Sequence, residues 1–253
     1  MPDLIWPPEA QDDARALVPG ADDLQTPYLA PLAYQLDSYG GPFHPVTRDE
    51  TQLRFFESRW SRDGEARLGM VYMVGADQVS HLYWPFVDEA ARRAMRQDPT
   101  SRMRAASVDQ GRATGRRAYP LADRALSAEM IEEGARWVPD YYRYLDTALG
   151  RVIDVIDPTT TTLFVASDHG FQRARGNPVL NGGHKDPAVL IAWGAHVLPG
   201  GTADAIVLDI TPTTLALLGL PAADDMPGHA LTGLVDVTPV KSVASWVLPR
   251  VVV

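Results

Sequence analysis

Residues 161–171 read T-T-L-F-V-A-S-D-H-G-F. Thr161 to Ser167 is a short apolar run rich in β-branched and aromatic residues, bounded by a polar cluster, and predicts a buried strand. Two further segments have the same character: Leu68 to Gly75 (LGMVYMVG) and Ala188 to Trp193 (AVLIAW), the latter within an apolar region from Val189 to Val197. Helical patterns separate the strands. Ser127 to Ile156 places Ile131, Ala135, Val138, Tyr142, Leu145, Leu149, Val152 and Ile156 at helical spacing, with Pro139 predicting a kink or two abutting helices. Thr47 to Trp60 predicts a helix with Thr47 as N-cap and Glu50 closing a capping box. Ile206 to Asp209 reads as a short extended piece. Thr211-Pro212 then opens a helix to Leu218, ended by Gly219. Buried strands alternating with helices predict an α/β sheet with helices on both faces. Residues 1–67 form an irregular N-terminal region, its first part rich in Pro, Asp and Gly. Residues 68–253 form the core, with a polar, Arg-rich helical excursion at about 85–125. The C-terminal SVASWVLPRVVV suits a last strand or an edge.

Composition narrows the function. With 253 residues, 45% of them hydrophobic, the chain can build one large domain or two small ones. A net charge of −9 argues against a nucleic-acid polymer as partner, yet allows a phosphate-ester substrate where metal supplies positive charge locally. The chain has no cysteine, so disulfides and thiolate metal sites are excluded, and any metal must be held by His and carboxylate. Met1-Pro2-Asp3-Leu4-Ile5-Trp6 has neither the basic start nor the apolar run of a signal peptide. No stretch is long and apolar enough to span a membrane. Cytoplasm and periplasm suit the composition equally.

Three segments carry chemistry: Ala76-Asp77-Gln78-Val79-Ser80-His81, Ser167-Asp168-His169-Gly170-Phe171 and Gly182-Gly183-His184-Lys185-Asp186. The first two follow predicted strands and the third precedes one. Ligands of open α/β sheets bind at the carboxyl ends of strands. A D-x-x-x-H pair closes on one cation if a turn follows the strand. Adjacent Asp168 and His169 point apart on an extended backbone, which suits a shared site rather than chelation by that pair alone. Imidazole plus carboxylate without thiolate fits Zn²⁺, Mn²⁺ or Fe. Taken singly, a strand-end Asp is more often a turn former and a lone His more often a satisfied structural residue. The weight lies in the three segments occurring together.

The set S-D-H-G-F, then G-x-H, then D-I-T-P-T-x-L-x-x-L-G-L-P and M-x-G resembles the C-terminal half of type I phosphodiesterases and nucleotide pyrophosphatases, of the alkaline phosphatase superfamily. A-D-Q-V-S-H-L-Y-W-P resembles the family's D-x-x-x-H segment, and R-W-V-P-D-Y-Y-R-Y-L-D-x-x-L-G the helix before the SDHGF strand. The resemblance runs from about Leu68 to Leu234, poorly over Trp84 to Pro120. It implies a three-layer α/β/α sandwich around a mostly parallel sheet, lacking its N-terminal strands. It also implies two divalent metal ions, zinc foremost, about 4 Å apart, clamping the oxygens of an in-line displacement at phosphorus. Asp77, His81 and His184 match three ligands of one ion, and Asp168 and His169 match two of the other. A Thr or Ser hydroxyl serves as nucleophile in that family and forms a covalent phospho-enzyme.

Nothing before Leu68 matches the family's early strand-Asp and Thr nucleophile. Thr26, in Q-T-P-Y, is the weak candidate there; Thr47 likewise lacks a preceding strand. The chain therefore reads as a fragment, a late start or a degenerate paralogue of a metal-dependent phosphodiester or phosphoanhydride hydrolase. Alternatives are a non-catalytic metal-binding paralogue, a phosphomutase or a sulfatase, though a sulfatase needs a Cys or Ser context that this chain lacks. His44, His196 and His229 read as structural, the arginines from Arg92 to Arg117 as a solvated helical face, and Asp209 as part of a helix N-terminus.

Overall fold

The structure, a computed structural model, describes residues 10–20, 45–62, 64, 66–97, 128–173 and 182–246. Among these are helices α1 (Ala10–Ala16), α2 (Pro45–Arg62), α3 (Gly75–Val87), α4 (Glu89–Gln97), α5 (Ala128–Val155) and α6 (Ile210–Leu217). The strands are β1 (Thr162–Ala166), β2 (Gly170–Arg173), β3 (Gly182–Lys185) and β4 (Leu190–Gly194). This mixture of helices and small sheets fits an alkaline-phosphatase-like α/β fold. The chain divides into two compact units, Met1–Val155 with Phe171–Lys185, and Ile156–Gly170 with Asp186–Val253.

The first unit is helical. Its core joins Val46, Val79, Tyr83, Phe86, Met95, Ile131, Trp137, Val138, Tyr141 and Tyr144, contributed by α2, α3, α4 and α5. Burying each large side chain stabilises the unit by about 1.5–3 kcal/mol. Gly134 makes the approach of α5 to α3 possible, because a Cβ there would lie 2.5 Å from the Phe86 ring. α5 runs through Pro139 as one helix, so of the kink and the two abutting helices expected there the second is overturned. Its buried stripe is Ile131, Trp137, Val138, Tyr141, Tyr144 and Ala148, whereas Tyr142, assigned inward by spacing, is 51% exposed.

Glu50 closes no capping box, because α2 begins at Pro45 and Thr47 already lies inside it. The Glu50 carboxylate instead accepts from Arg54 Nε at 2.8 Å, Tyr144 Oη at 3.1 Å and Arg151 Nη1 at 2.9 Å. Arg151 Nε also reaches Glu57 at 2.8 Å, so one guanidinium ties two turns of α2 to α5. Of the expected excursion at about 85–125, α4 is helical with Ala91 and Met95 buried, and residues 98–127 lie outside the described residues. The Arg92 and Arg96 side chains pair with Glu89 and Glu132, as a charged helical face would. No helix among the described residues is long and apolar enough to cross a membrane.

Leu68 to Gly75 is not the expected buried strand. Residues 68–73 are irregular, and Leu68, Met70 and Tyr72 are 57%, 87% and 67% exposed. An apolar run states a capacity for burial; a strand also needs a paired neighbour, which periodicity does not name.

In the second unit β1 pairs antiparallel with β4, from Thr162 opposite Gly194 to Ala166 opposite Leu190. The expected sheet was mostly parallel, whereas each sheet of the described residues has two strands and this pair is antiparallel. β4 is also less covered than a buried strand would be, since Ile191 and Trp193 are 55% and 40% exposed. Ile206 to Asp209 is not extended; Val207–Asp209 makes a 3₁₀ turn that leads directly into α6. Val243 forms one parallel bridge with Ala223 and Trp246 Nε1 donates to Pro221 O, while residues 247–253 lie outside the described residues.

Asp209 sits at the N-cap position of α6 but its side chain bonds none of that helix's N–H groups. Its buried carboxylate accepts the Ile206 and His229 backbone N–H groups at 2.9 Å and 2.7 Å. Those two bonds, Ile206 first, hold the carboxyl below its ordinary pKa. Asp209→Ala leaves both donors without this partner and should destabilise the chain by about 2 kcal/mol in urea titrations at pH 7. With the folded pKa lowered, that contribution is complete above the ordinary carboxylate pKa and is lost as pH falls through the folded one. The gap between wild type and variant should therefore narrow below about pH 4; a gap independent of pH would contradict this role.

Candidate metal centre

The site in the first unit is built on the start of α3. Val74, the residue at its N-cap position, has no side-chain acceptor for the free N–H groups of the first turn. Asp49 of α2 provides one: Oδ1 accepts Val74 N–H at 3.1 Å and Oδ2 accepts Gly75 N–H at 2.9 Å. Tyr141 of α5 donates its hydroxyl to the same Oδ2 at 2.6 Å. Burial pushes the Asp49 carboxyl up, against the pull of these hydrogen bonds. Burial also pushes the Tyr141 phenol well up, with the Asp49 charge adding to it, so Tyr141 stays protonated and donates. Asp77 thus lies in the first turn of a helix, not at a strand end, and His81 follows one turn later on the same face.

β3 brings in His184. Asp77 Oδ1 lies 3.3 Å from His81 Nε2 and 3.3 Å from His184 Nε2, and the two imidazole nitrogens are 2.9 Å apart. Four ligands at about 2.0–2.1 Å around a tetrahedral cation stand roughly 3.3 Å from one another, so these three donors match one face of such a tetrahedron. His81 Nδ1 lies 3.0 Å from Gly182 O, an atom that only accepts, so Nδ1 carries the proton and Nε2 of the neutral ring turns a lone pair towards the cluster. A carbonyl fixing the far nitrogen is the usual support of a metal-binding imidazole. Gly182 is required for this approach: a Cβ there would sit 2.3 Å from Ser80 O. The Phe171 ring meets His81 and His184 edge-on at 5.1 Å and 5.5 Å, which fixes both planes further. The side chains of Asp77, His81 and His184 are 37%, 34% and 53% exposed, so the cluster lies near the surface. Two imidazoles and one carboxylate suit a borderline divalent cation, and a proton on His184 Nε2 would compete for the same gap.

A family model described as Type I phosphodiesterase / nucleotide pyrophosphatase matches residues 6–203. The chain belongs to the type I phosphodiesterase/nucleotide pyrophosphatase family. The match begins well ahead of Leu68, where the motif resemblance starts, and ends before Leu234. Three curated proteins are similar over a shorter stretch, all 2,3-bisphosphoglycerate-independent phosphoglycerate mutases. That of Laribacter hongkongensis is 32% identical over 97 residues, 36% of this chain and 18% of the mutase. That of Gluconobacter oxydans is 33% identical over 93 residues, 34% of this chain and 18% of the mutase. That of Agrobacterium fabrum is 30% identical over 96 residues, with 36% and 18% covered. The chain thus aligns with less than a fifth of the length of these mutases. No solved structure matches. Family and relatives agree on phosphoryl-transfer enzymes of the alkaline phosphatase superfamily.

The other residues singled out in this family member fall as follows. Asp168 and His169 belong to the second unit, in the turn after β1. His169 Nδ1 donates to Gly170 O at 3.1 Å, and its Nε2 lies 3.5 Å from Asp168 Oδ1, so the adjacent pair comes together rather than pointing apart. The Asp168 side chain is 76% exposed and that of His169 18%. Thr26 and His44 lie outside the described residues. Thr47 sits in the first turns of α2, its carbonyl accepting Thr51 Oγ1 at 2.6 Å. His196 is exposed with φ of 60°, as a turn residue after β4. His229 is exposed and offers Asp209 its backbone N–H. Reading the sequence missed Asp49 and Tyr141, and no local signal marks either one. The carbonyl of Gly182 was within reach, since G-G-H had already been set apart.

Proposed function

We propose that the chain is a metal-dependent hydrolase of phosphodiester or phosphoanhydride bonds acting on small phosphate-ester substrates. The observation carrying this reading is the triangle of Asp77, His81 and His184 donors in a chain of the type I phosphodiesterase family, whose members use divalent metals. When bound, a divalent cation supplies Lewis acidity towards the phosphoryl oxygens. The residues of the chain hold that position: Asp77 contributes negative charge, His81 is kept in one tautomer by Gly182, and His184 completes the set from β3. We assign Asp168 and His169 to a second ion, as the family resemblance implies, and zinc as the metal, with Mn or Fe as substitutes. The fold we assign is the three-layer α/β/α sandwich of the superfamily.

Bis(4-nitrophenyl) phosphate should be turned over slowly. Chelation with EDTA should remove the activity, and Zn²⁺ or Mn²⁺ should restore it. Thr26→Ala and Thr47→Ala should have little effect; strong turnover lost on changing either would give that threonine the nucleophile's role. The mutase relatives favour a second reading, a phosphomutase. Interconversion of 2- and 3-phosphoglycerate, with no hydrolysis of the diester, would favour it over the first.

A further inference from the structure

Three helices of the first unit meet at one carboxylate. Asp49 is fully buried on α2, yet among the described residues its carboxylate bonds to other elements: the Val74 and Gly75 N–H groups at the start of α3, and the Tyr141 hydroxyl of α5. The contact is close enough to dictate the residue opposite. A Cβ on Gly75 would fall 1.7 Å from Tyr141 Oη and 2.8 Å from Asp49 Oδ2, so only glycine fits. An internal carboxylate is a costly way to secure a helix start, since its charge must be desolvated. A Ser, Thr or Asp at the N-cap would satisfy the same donors locally and near the surface. A distant cap adds what a local one lacks: it fixes where the first turn points. Asp77 lies in that turn and His81 in the next.

We propose that Asp49 is a positioning residue for the ion site, with Tyr141 as its support. By holding the Val74 and Gly75 amides, the pair sets the rotation and height of α3, and so places Asp77 and His81 against His184. This role rests on the reading of Asp77, His81 and His184 as ligands of a divalent cation. Glu50, the next residue, provides the contrast. It is also buried and also joined to α5, through Tyr144 and Arg151, but it bonds nothing in the first turn of α3.

The test titrates Co²⁺ into the whole chain, reading affinity by calorimetry and ligand geometry by the visible absorption of the bound ion. Folding is followed in parallel by circular dichroism. Asp49→Asn keeps the shape but turns an amide NH₂ towards one of the donors. It should weaken Co²⁺ binding by about 10–100-fold, as loss of outer-shell support typically does, and should shift the visible bands. Tyr141→Phe removes one bond only and should shift the bands the same way with a smaller loss, which keeps the test decisive if the Asn variant folds poorly. Glu50→Gln should lower the melting temperature while leaving affinity within about twofold of wild type, as expected for a site without a shared partner. Wild-type affinity and bands in folded Asp49→Asn and Tyr141→Phe, or an equal loss in Glu50→Gln, would overturn the positioning role. His184→Ala binding Co²⁺ as tightly as wild type would overturn the ion site itself, and the role of Asp49 with it.

Discussion

Changing His184 to alanine should cost the chain its first divalent ion, with the Zn²⁺ dissociation constant rising by more than about 100-fold, since even outer-shell losses reach that size. Three donors are present, and a catalytic zinc site uses three protein ligands with one position open. Removing Nε2 of His184 takes one donor out of the triangle and leaves Asp77 Oδ1 and His81 Nε2, a pair 3.3 Å apart. Competition against a chromophoric chelator measures the change directly. The substitution is at a side chain 53% exposed, so the fold should survive it, and the melting temperature without metal should stay near that of wild type. The slow hydrolysis of bis(4-nitrophenyl) phosphate should fall in parallel. Unchanged affinity in the folded variant would remove Asp77, His81 and His184 from the metal reading.

Arg151→Met should give the largest loss of stability among the substitutions considered, about 3 kcal/mol, read as a lowered urea midpoint. The Glu50 side chain is 7% exposed and takes Arg151 Nη1 on both oxygens at 2.9 Å. Removing the guanidinium leaves that charge with Arg54 as its remaining cation, and Glu57 loses its partner as well. A buried carboxylate that keeps only part of its compensation is expensive because much of the Coulombic return is lost while the desolvation cost remains. The effect should fall mainly on α2 and α5, detectable as faster amide exchange in both. A loss under about 1 kcal/mol would place the pair with ordinary surface salt bridges.

The sequence made the chemistry more legible than the architecture. Asp77, His81 and His184 were singled out because a metal site needs particular atoms that only a few residue types carry, and their donors lie together in the structure. Spacing was informative even where the backbone was misread: D-x-x-x-H was placed after a strand, but i and i+4 also share a helix face. The expected strand at Leu68 to Gly75 failed because its apolar alternation says nothing of a pairing partner. The inward placement of Tyr142 failed for a different reason. α5 carries Tyr141, Tyr142 and Tyr144 in succession, and which of them faces the core depends on hydroxyl partners at Asp49 and Glu50, more than ninety residues away. Val74 is likewise a poor N-cap on its own, and the residue that repairs it is 25 positions upstream. Local patterns cannot report long-range satisfaction of this kind.

His81 and His184 are separated by 103 residues, and both lie in the first unit. An ion held between them would close a very long chain loop, and would do so only in the native arrangement. In thermodynamic terms it acts as a removable staple: at a hundred times its dissociation constant, a ligand confined to the folded state adds about 2.7 kcal/mol to stability. If the ion binds there as proposed, its removal should lower the melting temperature of the chain and make it easier to digest with protease.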